Sequence, residues 1–302
     1  MKRAALAILF FAASIFAGDY WNAETGSATM KFLFLRVSPR SAALSGAGVA
    51  SPQGPSELSR NPLAALAATE PEIGWNQIVF SDKVDADFFS VYYAWPYKSF
   101  VFSGGIEYLG YGDLEGRDEE GFEVGDYGAS AFAAQLGFAW APGLVHWAVN
   151  ARFASQTIDD ATAVAFLGDA AAGVRLNRYF AFAATFTNFG YVTSYESGHE
   201  VPPTALQAGV SWTLPSILSI FDLTLSSDLY RRSDSDIQGL FGAELAYKKI
   251  LVLRAGYAIR EDTEDGVSAG LGLRFGRINA EYAYATNPTL DGNHHISIGL
   301  RF

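Results

Sequence analysis

From Glu72 onward the chain repeats one pattern: segments of about nine to fourteen residues with apolar side chains at every second position. In extended backbone successive side chains point to opposite faces, so each segment has one apolar face and one small or polar face. Leu251, Leu253, Ala255, Tyr257 and Ile259 share a face, opposite Arg254, Gly256 and Arg260. Ile296, Ile298, Leu300 and Phe302 likewise oppose His295, Ser297, Gly299 and Arg301. Fourteen such segments can be read, at 72–80, 87–95, 98–111, 127–140, 146–158, 162–176, 179–188, 204–212, 220–229, 237–247, 251–260, 266–275, 278–285 and 294–302. Strands of globular proteins average about five or six residues, whereas a tilted membrane strand needs about 9–11. Segment length therefore favours a membrane barrel, with the apolar face on lipid and the small, polar face lining the lumen.

Alternation alone also fits a half-buried sheet in a soluble sandwich. Two further features separate the cases. The apolar face carries Trp95, Trp140, Trp147, Trp212, Tyr247 and Tyr284 near segment ends, as interface girdles require. The connections alternate between short ones, such as Pro96-Tyr97, Asn177-Arg178, Lys248-Lys249 and Gly276-Arg277, and longer ones, such as 112–126, 189–203 and 286–293. Basic residues gather at the short connections and acidic residues in the long ones. Short periplasmic turns and long outer loops are the rule in outer-membrane barrels. The expectation is an all-β, antiparallel transmembrane barrel of about fourteen strands with both termini periplasmic. It would sit in the outer membrane of a Gram-negative bacterium, against the lipid bilayer and lipopolysaccharide. The least regular segment is 162–176, which is alanine-rich, carries Asp169 at its centre and has a partly helical alternative.

Residues 1–17 have the form of a secretory signal. Lys2 and Arg3 precede an apolar run from Ala4 to Ala17, too short for a bilayer span of about 20 residues. Removing both cations takes the net charge from −11 to −13, the opposite of a nucleic-acid-binding balance. No cysteine is present, so disulfides, thiolate metal sites and thiol nucleophiles are excluded. Residues 18–70 lack period-two runs and are expected to form a plug of short helices near Ser38–Leu44 and Pro62–Ala67, with the barrel occupying 71–302. Proline suits a first helical position, which marks Asn61-Pro62 as a helix start. A terminal aromatic on an amphipathic last strand marks Phe302 as an assembly signal, and that strand should pair with 72–80 to close the barrel.

Catalytic patterns are scarce. His146, His199, His294 and His295 are the four histidines, and a nucleophilic triad would need one of them beside a serine and an orienting acid. His294 and His295 must point to opposite faces and cannot chelate one ion together. Acidic loop 112–126 lacks calcium-hand spacing, and Gly270-Leu-Gly272 lies within a strand, away from any helix start. An enzyme, a metal site and a bound cofactor are therefore not expected. Glu107, Arg152, Asp222, Glu244, Arg254, Arg274, Glu281 and Arg301 all fall on the lumen face with mixed signs. Mixed signs suit a paired ladder that holds a plug, or gates it, better than a selective pore ringed by one sign.

Residues 31–66 carry a resemblance. Lys31-Phe-Leu, Pro39-Arg-Ser-Ala-Ala-Leu-Ser-Gly46-Ala, Val49-Ala50 and Asn61-Pro62 with Ala64 and Leu66 resemble the N-terminal signature of the PorV/PorQ family. Arg40, Gly46, Asn61 and Pro62 match its plug motif. Ser38-Pro39 stands where the family has Gly-Ala, and Pro52 to Glu57 replaces its Asp-Asp-Ala stretch. The resemblance implies a fourteen-stranded FadL-like barrel with an N-terminal plug. It also implies a role in type IX secretion or surface attachment, through binding partner proteins of the secretion system or cargo with C-terminal signal domains. The alternative is a FadL-like transporter that takes a hydrophobic small molecule through the lumen. An apolar pocket around Phe32, Phe34 and Leu44 would favour transport; a lumen of paired charges would favour docking.

Overall fold

A computed structural model describes residues 27–81, 84–112, 114–117, 121–193, 195, 200–215, 220–259, 266–287 and 291–302. The secretory signal, the acidic residues Asp113, Asp118, Glu119 and Glu120, and Glu261 to Asp265 lie outside them. The strands are β1 (Glu72–Val79), β2 (Ala86–Tyr97), β3 (Phe100–Tyr111), β4 (Leu114–Arg117), β5 (Glu123–Tyr127), β6 (Ala129–Trp140), β7 (Val145–Ile158), β8 (Ala161–Arg175), β9 (Phe180–Val192), β10 (Ala205–Thr213), β11 (Phe221–Arg232), β12 (Gln238–Tyr247), β13 (Leu251–Ile259), β14 (Gly266–Phe275), β15 (Ile278–Asn287) and β16 (Asp291–Arg301). Fourteen of them close an antiparallel barrel in chain order, and β4 and β5 form a separate hairpin within the 112–126 connection. That hairpin is the one departure in strand number; Leu114 to Tyr127 have no sustained alternation to signal it.

The seam is β1 against β16, in register from Glu72 opposite Arg301 to Val79 opposite His294. Closure leaves no backbone edge unpaired, which a bilayer core demands. The alanine-rich segment is strand throughout, as β8. Helix propensity is overridden because Ala163, Ala165, Ala171 and Gly173 face inward, where small side chains leave space for the chain inside. Outward faces carry the large apolar residues. Trp95, Trp140, Trp147, Trp212 and Tyr247 are exposed at the rim of the short turns, and Tyr191, Tyr257, Tyr282 and Tyr284 lie toward the other rim. No helix of the described residues is long and apolar enough to cross a membrane.

The segment from Ser27 to Pro71 runs through the lumen from one rim to the other. At the long-loop rim Ala28 bridges Val201 in parallel, and Thr29 N donates to the Val201 carbonyl at 3.0 Å. At the short-turn rim the Pro71 carbonyl accepts from Phe302 N at 2.9 Å. Between them lie an α-helical turn, Pro39–Ala43, and 3-10 turns at Lys31–Phe34, Pro55–Glu57 and Pro62–Ala67. The barrel's own ends, Glu72 and Arg301, share a rim as expected, but Ala28 sits at the opposite one. Starting at the long-loop side puts Met30, Phe32 and Leu33 in the apolar zone beneath that rim.

Candidate functional site

The site is the lumen, and its walls change character along the axis. Toward the long-loop rim it is apolar. Met30, Phe32, Leu33 and Val37 pack against Ile78, Phe88 and Leu109 and a facing wall of Ala131, Ala133, Ala154, Ala163, Ala165, Leu167 and Val192. Across the barrel, Phe34, Leu44 and Ala47 meet Ala205, Tyr230, Leu240 and Ala258. A water-filled channel has a polar interior. Here burial of each Phe or Leu side chain contributes roughly 1.5–3 kcal/mol instead. On the β13–β14 side the chain comes still closer. A Cβ on Gly256 would lie 2.2 Å from the Leu44 carbonyl carbon, and one on Gly270 2.6 Å from Ala43 Cβ. Only glycine admits that approach.

Below the apolar zone three buried polar networks tie the segment to the wall. In the first, Arg40 donates from Nε to Glu244 at 3.0 Å, from Nη1 to Glu57 at 2.9 Å and from Nη2 to Ser51 Oγ at 3.3 Å. Arg254 continues it, reaching Glu244 at 2.7 Å and Glu281 at 2.8 Å. Burial works to lower the Arg40 pKa, and the two carboxylates override it and hold it raised. Glu57 is raised by burial, with Arg40 offsetting part of the cost. In the second network Arg152 donates from Nη2 to the Ser59 carbonyl at 2.7 Å, to Gln135 Oε1 at 2.7 Å and to Asp169 at 3.2 Å. Gln135 Nε2 donates to the Leu58 carbonyl at 3.1 Å, and Tyr92 donates to Glu107 beside it. In the third, Asp228 accepts from Gly48 N at 2.8 Å, Val49 N at 2.9 Å and Gln207 Nε2 at 2.7 Å.

Of the residues singled out in the sequence, Arg40, Glu244, Arg254 and Glu281 fall in one network, and Glu107 and Arg152 in another. Arg274 donates to Gln53 on the segment. Arg301 lies at the short-turn rim, where Nη2 donates to the Gly276 carbonyl at 2.7 Å. Asp222 is half-buried at the same rim, on the register opposite Ala246. Asn61 caps the Pro62 turn, accepting from Leu63 N at 3.1 Å while its Nδ2 donates to the Val49 carbonyl at 3.0 Å. Gly46 has φ +91°, and its carbonyl accepts from Gln207 at 2.8 Å. Phe302 is exposed on the lipid side, in line with Ile298 and Leu300. His295 is buried facing inward and His294 is exposed outward, bonded to Tyr282 at 2.7 Å. No group of three metal-ligating side chains lies together among the described residues.

Asp228, Asp169, Glu57, Gln135 and Gln207 were missed as site residues. Their signal was present for the wall residues: Asp228 occupies the inward register of β11 between Ser226 and Tyr230. Asp169 has a second role. Two residues of β9, Thr187 and Asn188, oppose it as a bulge, and Asn188 N donates to Asp169 Oδ1 at 2.7 Å. Asn188 has φ +57° and Gly190 φ +155°, so β9 leaves regular pairing beside the Arg152 network.

The solved structures that resemble this fold are outer-membrane barrels. The toluene transporter TbuX of Ralstonia pickettii superposes with a TM-score of 0.62 at 14% identity, over 88% of this chain and 98% of its own. The toluene transporter TodX of Pseudomonas putida gives 0.61 at 12%, over 93% and 98%. A FadL homologue of Pseudomonas aeruginosa gives 0.52 at 10%, over 88% and 98%. The chain has the FadL-like outer-membrane barrel fold. These neighbours are transporters and a FadL homologue, not enzymes. No protein-family model matches the chain, and no curated protein sequence does.

Proposed function

We propose that this protein is an outer-membrane transporter for hydrophobic small molecules, with the segment 27–71 as a plug held in its lumen. The observation that supports it is the apolar half of the lumen around Phe32, Phe34 and Leu44. A hydrophilic solute gains nothing from such surroundings, whereas an apolar one gains by leaving water for apolar carbon. The bulge of β9 beside Asp169 is an irregularity of the wall next to that zone. The barrels of like fold that carry toluene support the same reading.

A second reading, a component of type IX secretion that binds cargo or partner proteins, keeps one structural argument. The other side of the lumen is filled by the paired charges of Arg40, Glu57, Glu244, Arg254 and Glu281, as a closed docking barrel would need. The resemblance of residues 31–66 to the PorV/PorQ signature points the same way; the fold neighbours point to transport. Deleting the gene separates the two. Transport predicts that uptake of an apolar ring compound falls while secreted proteins are exported normally. Accumulation of exported proteins in the periplasm with unchanged uptake would replace it by the secretion reading.

A further inference from the structure

The lipid-facing wall is not uniform. On β12, β13 and β14 the outward residues Ala243, Ala255 and Ala269 stand in one register row. Larger side chains flank that row on both sides. Phe241 is paired with Tyr257 toward the long-loop rim, and Leu245 with Leu253 toward the short-turn rim. The alanines are therefore the floor of a trough between two apolar ridges. Across β10 to β13 it forms a groove of about 670 Å³, with Trp212, Leu225, Phe241, Ala243, Ala255 and Tyr257 in its lining.

The β12–β13 hairpin that carries the trough turns through Lys248 and Lys249. Both have left-handed backbone, with φ +49° and +58°. A two-residue turn of that form favours Asn-Gly, so backbone geometry does not explain two lysines. The next turn is bonded to this one: Arg274 N donates to the Ile250 carbonyl at 2.8 Å, and Arg277 lies three residues further on. Lys248, Lys249 and Arg277 are exposed, and among the described residues none of them forms an ion pair. The Glu70 carboxylate at the same rim already has Arg301 at 4.0 Å. Beside these cations, on the lipid side, Phe275 is 84% exposed and Ile250 51%. Ala243 precedes Lys248 by five residues. At about 3.3 Å per residue and a tilt of about 40°, the trough lies roughly 13 Å below the turn. That depth is within the hydrocarbon of one leaflet, about half of 30 Å.

We infer that this face binds one anionic phospholipid, its phosphate on Lys248, Lys249 and Arg277 and one acyl chain along the alanine trough. Short turns on the periplasmic side adjoin the phospholipid leaflet. The site is independent of what crosses the lumen. A second copy of the chain docked here about a two-fold axis would bring two sets of the same cations together, which like charge opposes. Each cation at a membrane surface adds roughly fivefold affinity for anionic lipid, so three add on the order of a hundredfold. The test is native mass spectrometry of the full barrel in neutral detergent, with phosphatidylglycerol, phosphatidylcholine and lipid A offered at equal concentration. The expected result is one phosphatidylglycerol retained at least tenfold more than phosphatidylcholine, a preference lost when Lys248→Gln, Lys249→Gln and Arg277→Gln are combined. Ala255→Phe fills the trough from an exposed position and should lower phosphatidylglycerol retention severalfold with all three cations in place. All variants are compared as folded, heat-modifiable barrels. Equal retention of the two phospholipids, or a preference that survives the triple substitution, would overturn the headgroup site. Retention unchanged in Ala255→Phe would overturn the trough as the seat of the chain. Preferred retention of lipid A would overturn the phospholipid assignment, and a dimer that Ala255→Phe dissociates would give the face to a second copy instead.

Discussion

Replacing Arg40 by methionine tests what holds the plug. The substitution keeps an unbranched apolar stem and removes the guanidinium with its charge, so the loss is chiefly electrostatic. Three hydrogen bonds disappear, two of them to carboxylates at 2.9 and 3.0 Å. The two carboxylates fare differently. Glu244 keeps Arg254 at 2.7 Å and Gln53 Nε2 at 2.7 Å. Glu57 keeps only the Gln53 backbone N–H, at 3.0 Å, and stays buried. Leaving one member of a buried pair uncompensated costs about 3–5 kcal/mol. At about 1.4 kcal/mol per decade, plug docking should weaken roughly 100- to 3,000-fold. Single-barrel recordings in planar bilayers should show frequent opening steps in Arg40→Met that the unsubstituted protein lacks. Adding Glu57→Gln removes the orphaned charge, so the double variant should open much less often than Arg40→Met alone. A quiet Arg40→Met barrel, or a double variant as active as the single one, would refute the latch.

Two further outcomes use the absence of cysteine, which makes any introduced thiol unique. Ser45 Oγ and Ser268 Oγ lie 2.7 Å apart, so Ser45→Cys with Ser268→Cys should form a disulfide that pins the plug to β14; oxidised cells should take up apolar rings at least tenfold more slowly than the same cells after reduction, and equal uptake in both states would show that the plug need not move there. Ser27 is exposed, and the Ala28–Val201 bridge next to it lies at the long-loop rim; Ser27→Cys in intact cells should therefore react with a membrane-impermeant maleimide, and protection until the outer membrane is broken would reverse the polarity of the plug.

The barrel was legible because lipid and lumen impose opposite demands on alternate residues. Leu251 to Ile259 or Val267 to Phe275 can satisfy both only as strands, so their bounds were readable to within a residue or so. The β4–β5 hairpin was not, because Glu115, Arg117, Glu123 and Asp126 in it are all exposed and no buried residue among those described sets a pattern. The lumen was legible by half. Glu244, Arg254 and Glu281 announced themselves as charges on an inward register, but their partner Glu57 lies in a segment with no period from which to infer a direction. The direction of the plug was hidden for a related reason. An even strand count fixes where Glu72 and Arg301 end, yet says nothing about where the chain before Glu72 begins. That depends on which half of the lumen is apolar, and Ala163, Ala165 and Leu167 reveal it only once β8 is known to be a strand.

The claim that the apolar lumen admits apolar solutes is tested most directly by uptake in intact cells. Radiolabelled naphthalene and a sugar of similar mass would be compared in a deletion strain with and without the gene restored. Restoration should raise naphthalene entry several-fold and leave sugar entry unchanged. Equal naphthalene entry in both strains, or a rise in sugar entry instead, would contradict it.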